Sequence, residues 1–181
     1  VSPVEDFTIF AGFSCLNDYD TDRDLEDFIR NDARKHFVDK IAVTYQLFSL
    51  QAINEGPIGF ATLQNDAIVV DEETDFHDIC KEYPYRAFPA VKIGRLAIRL
   101  DLQKQHFGKM FLTILKTIFI TNNRTGCRFV TVDARRDKKN KVDVRGFYGT
   151  CGFSELACRG KTSTYVPMYF DLATFQPGTS E

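Results

Sequence analysis

The apolar positions fall into two kinds of pattern, and each predicts an element. In TDRDLEDFIRNDARKHF, Leu25, Phe28, Ile29, Ala33 and Phe37 recur at three- and four-residue steps, the spacing of one helical face. Asp20 or Thr21 can cap this helix, and acidic residues crowd its first turn, where the helix dipole favours them. IAVTYQLFSLQAI and IGFATLQNDAIVV are rich in β-branched and aromatic residues and flank the turn NEGP, which predicts an antiparallel hairpin. A weaker helical stretch runs from about Glu72 to Tyr83, and Pro84 and Pro89 bracket an extended segment.

The second half is more sharply patterned. AVKIGRLAIRL reads as a strand, and HFGKMFLTILKTIFITNN as an amphipathic helix with Phe107, Met110, Phe111, Ile114, Leu115 and Ile118 on its apolar side. CRFVTVDA is a strand whose near-continuous apolar content predicts burial on both faces. A basic loop, a short helix leading into Tyr148, and the strands GFSELAC and STYVPMYFDL close the chain. A strand–helix–strand–helix centre needs crossover connections, while the ends resemble meanders. The expected fold class is therefore α/β or α+β, with a mixed sheet carrying helices on both faces.

Length and composition narrow the picture. At 181 residues the chain suits one core, and residues 1–181 are expected to form one domain. The net charge of −2 argues against a dominant polyanion-binding role, though a local basic patch survives a neutral total. Cys15, Cys80, Cys127, Cys151 and Cys158 contain no Cys-x-x-Cys pair, so reduced thiols are expected and no metal site. His36, His77 and His106 form no pair with metal-ligand spacing. The opening VSPVEDFTIF lacks the features of a signal peptide, and no apolar run reaches the ~18–20 residues that cross a bilayer. The cytoplasm is the expected location, with no membrane partner. Asn123-Arg124-Thr125 matches a glycosylation acceptor and is expected to be coincidental.

Most of the chemistry is concentrated in LAIRLDLQKQHFGKMFL, Leu96 to Leu112. A strand runs into a short polar turn that opens directly into a helix. The first N–H groups of such a helix lack intrahelical partners and, with the dipole, favour a phosphate or pyrophosphate. Gly108 permits close backbone approach, and Lys104 and Lys109 add positive charge. An ordinary surface connection is the alternative.

This segment resembles the acetyl-CoA-binding signature of the GNAT superfamily of N-acetyltransferases, Gln/Arg-x-x-Gly-x-Gly/Ala after the fourth strand. Gln103 and Gly108 match its ends, His106 stands where the middle Gly is expected, and Lys104 where many relatives carry a further Gly. A residue other than Gly is strained at His106 if that position requires positive φ. About forty residues on, VDARRDKKNKVDVRGFYGTCGF resembles the family's closing region, with Phe147, Tyr148, Gly152 and Phe153 in place and Asn140 eight residues before Tyr148. IGRLAI and DLEDFIRNDA bring the resemblance closest to the toxin-like branch, and it covers about Phe13 to Leu172.

The resemblance implies a mostly antiparallel central sheet of six to seven strands and transfer of an acetyl group from acetyl-CoA to a primary amine by direct attack on the thioester. The acceptor is a small amine, a protein amine or an aminoacyl-tRNA. Leu96, Ala97 and Ile98 map to the strand that pairs with the pantetheine arm, and one of their N–H groups to the oxyanion donor. Gln103, Lys104, Gln105, His106, Phe107, Gly108 and Lys109 map to the pyrophosphate turn. Tyr148 maps to the general acid, with packing as its alternative role, and Asn140 to the pantetheine arm or a helix cap. The implied partners are tRNA or an antitoxin, and a second copy of the chain through exposed end strands. A GNAT-fold protein that binds CoA or a partner without catalysis is the alternative function.

Arg135, Arg136, Lys138, Lys139, Lys141 and Arg145 stand against Asp137 and Asp143 in one short run. This is either a solvated loop or a docking surface for RNA. Gly160-Lys161-Thr162 lacks the upstream Gly of a P-loop, and no Gly-x-Ser-x-Gly elbow is present.

Overall fold

The fold is described from a computed structural model for residues 1–15, 21–50, 55–70, 76, 79, 82–123, 125–139, 141–156 and 164–176. Eight strands form one mixed but mostly antiparallel sheet: β1 (Ser2–Pro3), β2 (Val43–Leu47), β3 (Gly59–Val69), β4 (Ala87–Ile98), β5 (Phe129–Asp137), β6 (Val142–Asp143), β7 (Ser154–Glu155) and β8 (Tyr165–Asp171). Their order is β1-β2-β3-β4-β5-β8-β7, with β6 paired to β5. Helices flank the sheet: α1 (Thr21–Asp27), a π-helical turn (Phe28–Asp32), α2 (Ala33–Val38), α3 (Phe107–Thr121) and α4 (Arg145–Thr150). The mixed α/β class expected from the pattern is present. The strand total exceeds the expected six or seven because β1, β6 and β7 are two-residue pairings that carry no periodic signal.

Contacts divide the chain into two compact units, Val1–Gln64 with Ile93–Ile114, and Asn65–Lys92 with Leu115–Glu181. The first unit is built on the predicted hairpin, with β2 and β3 antiparallel from Val43↔Leu63 to Leu47↔Gly59. Inside the pair the buried Thr44 and Thr62 hydroxyls satisfy one another at 3.1 Å. Phe10, Phe13 and Phe60 meet edge-on with centroids 5.6–5.7 Å apart, within a core that includes Phe28, Ile29, Ala33 and Ala97. The phenylalanine excess is used to fill this core with edge-to-face contacts. The predicted first helix is interrupted by the π turn, where Phe28 and Ile29 are buried. Asp20 lies outside the described residues.

In the second unit β5 and β8 are antiparallel from Phe129↔Asp171 to Arg135↔Tyr165. Phe76, Phe88, Phe129 and Tyr169 form its aromatic core with Ile68 and Ala90. β5 is buried on both faces over Phe129–Val132, as its apolar run predicts. Pro89 lies inside β4 rather than ahead of it. It needs no N–H there, because its carbonyl is the group in use, accepting from the Arg128 N–H at 2.9 Å. The helical stretch expected over 72–83 falls largely outside the described residues, though the Tyr83 N–H donates to the Ile79 carbonyl at 2.8 Å. After α3, Asn123 closes the connection to β5: its side chain accepts from the Cys127 N–H at 2.6 Å and donates to the Cys127 carbonyl at 3.2 Å.

The apolar face expected for α3 is rotated. Phe111, Leu112 and Leu115 are buried, whereas Met110 is exposed and Lys116 is buried in place of a hydrophobic residue. The Lys116 ammonium is taken up by aromatic rings and a backbone carbonyl.

β4 lies close against β3 at Gly59, where a Cβ would stand 2.4 Å from the Ala97 carbonyl oxygen and 2.7 Å from Ile98 Cδ1. Gly59→Ala is expected to cost about 1–3 kcal/mol of stability through this overpacking. Gly94→Ala, whose Cβ would meet its nearest atom at 3.5 Å, is expected to stay within about 0.5 kcal/mol of the parent. Denaturant titration of both variants decides the matter, and equal midpoints would count against the close approach.

Candidate functional site

The end of β4 and the turn that follows belong to the first unit. Ala97 is buried in its core, while Leu96 and Ile98 are half-buried. The Arg99 N–H still donates to the Ile58 carbonyl at 2.8 Å, and the Leu100 N–H then bonds the Ser14 carbonyl at 2.9 Å as the chain leaves the strand. Leu100–Leu102 forms a 3-10 turn. The Arg99 guanidinium pairs with Asp101 at 2.7 Å and donates to the Glu55 carbonyl at 2.9 Å. That pairing raises the Arg99 pKa and lowers that of Asp101.

Gln103 holds the turn to its surroundings. Its side-chain amide donates to the Ile98 carbonyl at 3.0 Å and to the Cys15 carbonyl at 3.4 Å. The Gln105 side chain similarly bonds the Asp101 carbonyl at 2.9 Å. Both glutamines therefore fix backbone. Lys104, Gln105, His106 and Lys109 are exposed, and Phe107 and Gly108 are half-buried in the first turn of α3.

The backbone explains the shape. Lys104 and His106 adopt φ of +61° and +66°, the left-handed region. His106 stands at the middle glycine of the resembling signature, and Lys104 where many relatives carry a further glycine. Left-handed residues reverse the direction of neighbouring N–H groups and create concave sets of donors that bind anions. A 15-residue helix opening next to them adds its dipole and its first N–H groups. The turn thus fits a phosphate or pyrophosphate.

A second layer backs it. Glu26 is buried, accepts from the Cys15 N–H at 2.7 Å and pairs with Arg30 at 3.2 Å, while Arg30 donates to the Phe13 carbonyl at 2.7 Å. This network, which the sequence pattern does not announce, locks the Phe13–Cys15 segment to which Gln103 also bonds.

Tyr148 belongs to the second unit, on the short helix α4, and is half-buried. Its ring meets Phe147 and Phe153 edge-on at 5.1 and 5.5 Å. Burial pushes its phenol well above the ordinary value of 10.0, with the Cys151 thiol adding to the shift. The group stays protonated through the neutral range and can donate a hydrogen bond. Asn140 lies outside the described residues. Lys116, missed from the sequence, lies in this unit with its ammonium 2.5 Å from the Cys151 carbonyl oxygen.

The basic run is a tight hairpin, β5 to β6, with Arg136 opposite Asp143 and Asp137 opposite Val142. Arg135 pairs with Asp137 at 2.7 Å, and Arg145 with Asp143 and Glu155 at 2.8 Å each. Hydrogen bonds from Arg145 lower the Asp143 carboxyl to about 2. Lys138, Lys139 and Lys141 are exposed at the hairpin. Among the described residues no His/Cys/Asp/Glu group could hold a metal ion, and no helix is long and apolar enough to cross a membrane.

The left-handed turn has a measurable cost. An L-residue at such φ is strained by roughly 1–2 kcal/mol, partly offset by the larger unfolded-state freedom of glycine. His106→Gly is expected to raise stability by about 0.5–1 kcal/mol, and His106→Val to lower it, since a β-branched residue tolerates this φ least. Urea midpoints test both, and a less stable glycine variant would show that the His106 side chain is anchored.

No protein-family model matches the sequence, and no curated protein matches it. Solved structures do. AtaTR bound with AcCoA matches with a TM-score of 0.69 at 22% identity, over 95% of this chain and 92% of that one. AtaT complexed with acetyl-methionyl-tRNAfMet matches at 0.68 and 21%, over 91% and 88%. A tyrosine-to-phenylalanine mutant of KacT matches at 0.65 and 22%, again over 91% and 88%. The chain has the mixed α/β fold of these AtaT and KacT structures.

Proposed function

We propose that this protein is an N-acetyltransferase that uses acetyl-CoA and acetylates the α-amine of an aminoacyl-tRNA. The observation that carries the reading is the left-handed backbone at Lys104 and His106, which gives a glycine-type phosphate turn with other residues at these two positions. Solved AtaT structures of the same fold contain AcCoA and acetyl-methionyl-tRNAfMet, which supports the choice of both substrates. Residues 1–181 act as one domain in this reading.

Acetyl-CoA supplies the activated thioester. N–H groups of the Gln103–Lys109 turn bind its pyrophosphate, with Lys104 and Lys109 adding charge. The strand end Leu96–Ile98 lines the pantetheine arm, and one of its N–H groups donates to the developing oxyanion. Asn140 is assigned to the same arm. The amine needs to lose its proton only transiently, which ordered water can achieve. Tyr148 then donates to the departing sulfur. Because its phenol is a weaker acid than a thiol, the hydroxyl stabilises the thiolate by hydrogen bonding before any proton is surrendered. Lys138, Lys139 and Lys141 give the tRNA backbone a contact surface, and an antitoxin is the proposed protein partner, as in the AtaT structure with the C-terminus of AtaR.

The alternative, a binding protein without catalysis, was motivated by the missing glycine at His106. The turn keeps the glycine-type φ there, which supports CoA binding in either reading, and the intact Tyr148 favours the enzyme.

Calorimetry is expected to show micromolar acetyl-CoA binding that Gly108→Glu abolishes by placing a carboxylate in the first turn. Tyr148→Phe is expected to lower kcat on methionyl-tRNA by about 10²–10⁴ while leaving that affinity unchanged. The raised phenol pKa adds a sign: the neutral form favours the fold, so its stabilising contribution is complete below pH ~10 and is lost as pH climbs toward the folded pKa. Turnover should therefore show no loss from Tyr148 ionisation up to pH ~10, and a falling limb near neutrality that vanishes in Tyr148→Phe would overturn the assignment. Charge reversal at Lys138 and Lys139 is expected to weaken tRNA binding and flatten its log–log salt dependence by about one to two.

A further inference from the structure

Lys116 projects from α3 into the second unit, only 5% exposed. A charged side chain is almost never this buried unless paired. Its ammonium donates to the Cys151 carbonyl at 2.5 Å and lies 3.6, 5.0 and 5.7 Å from the ring centroids of Phe170, Phe153 and Phe175. Ring faces and a carbonyl replace its water. Cys151 is also the C-terminal cap of α4, the end at which a helix favours positive charge.

α4 needs outside support. It has six residues, including Gly146 and Gly149, at which an added Cβ would meet nothing within 4 Å. So short and glycine-rich a helix does not persist by itself. Its end folds back on Tyr148: the Tyr148 carbonyl accepts from the N–H groups of Cys151 at 2.9 Å and Phe153 at 3.1 Å. Between them Gly152 takes φ +82°, with room for a Cβ denied by the Phe170 ring at 3.0 Å. The Cys151–Phe153 turn is thus pinned by Lys116 on its carbonyl and by Phe170 on its glycine. That turn carries the Tyr148 backbone directly and its ring through Phe153.

We infer that Lys116 is a positioning residue for Tyr148: its buried ammonium, set between the Cys151 carbonyl and the Phe170 ring, fixes the turn that aims the phenol. The inference rests on the reading of Tyr148 as the group that meets the departing thiolate. Packing alone gives no reason for a charge here, because a hydrophobic residue of similar volume would fill the site as well or better.

The decisive variant is Lys116→Met in the full chain, which keeps the length and removes the ammonium. Three readouts are taken: acetyl-CoA affinity by calorimetry, kcat and KM on methionyl-tRNA, and the ring ¹³C resonance of Tyr148, identified by its loss in Tyr148→Phe. The expected result is unchanged acetyl-CoA affinity, a kcat lowered at least about tenfold, and a shifted Tyr148 resonance. Combined with Tyr148→Phe, the lysine substitution should cost nothing further, because both remove one function. Retained kcat, multiplicative losses, or an unmoved resonance would overturn the inference. Should Lys116→Met not fold, Lys116→Gln, neutral but still a donor, is held to the same three outcomes. Should Tyr148→Phe itself turn over normally, the acid role of Tyr148 falls, and the resonance alone still decides whether Lys116 sets the ring.

Discussion

The candidate site depends on one backbone constraint: β4 ends at Ile98 and α3 begins at Phe107, and the chain must change direction between them. Two left-handed residues accomplish this, and the Gln103 amide ties the result to the strand it has just left. If the turn were to relax, the first N–H groups of α3 would lose their common aim. Gln103, Gln105 and Arg99 bond backbone carbonyls and, for Arg99, a neighbouring carboxylate, so these side chains hold the shape of the turn.

The two units use charge in different ways. At the β4 end, Arg99 and Asp101 form an exposed pair, the kind that contributes little to stability and serves mainly to hold local geometry. Near Tyr148 the cation is inside, where low polarity makes its bond to the Cys151 carbonyl strong and its orientation sharp. Cation–aromatic contact also appears in the first unit, where the Arg95 guanidinium lies 3.8 Å from the Phe28 ring centroid, over the π turn. Phenylalanines thus supply π faces for cations in both units.

Elements with a long, regular pattern could be read from the sequence: the β2–β3 hairpin, α3, and β5 with its doubly buried run. The left-handed turn was legible only in part: the family resemblance raised positive φ as a condition at His106, and the structure has it at Lys104 as well. What escaped had no local signature. A π turn at Phe28–Asp32 preserves the apolar spacing of the helix around it, so the pattern does not distinguish the two. Lys116 stands outside the apolar face expected for α3, and only tertiary packing shows the rings that receive it. The basic run read as a loop because its pairing partner is two residues long, and ion pairs to Asp137, Asp143 and Glu155 could not be seen before the chain was folded.

The connection after α3 has a practical implication. Asn123 spends both ends of its amide on Cys127, and it is also the asparagine of an Asn-x-Thr glycosylation acceptor. A sugar can be attached only at the nitrogen that donates to the Cys127 carbonyl. Secretion through a glycosylating host would therefore set the oligosaccharide transferase against the closure of this loop while the chain is still folding, and a chain modified first would have to close it with the amide oxygen and the one amide hydrogen it retains.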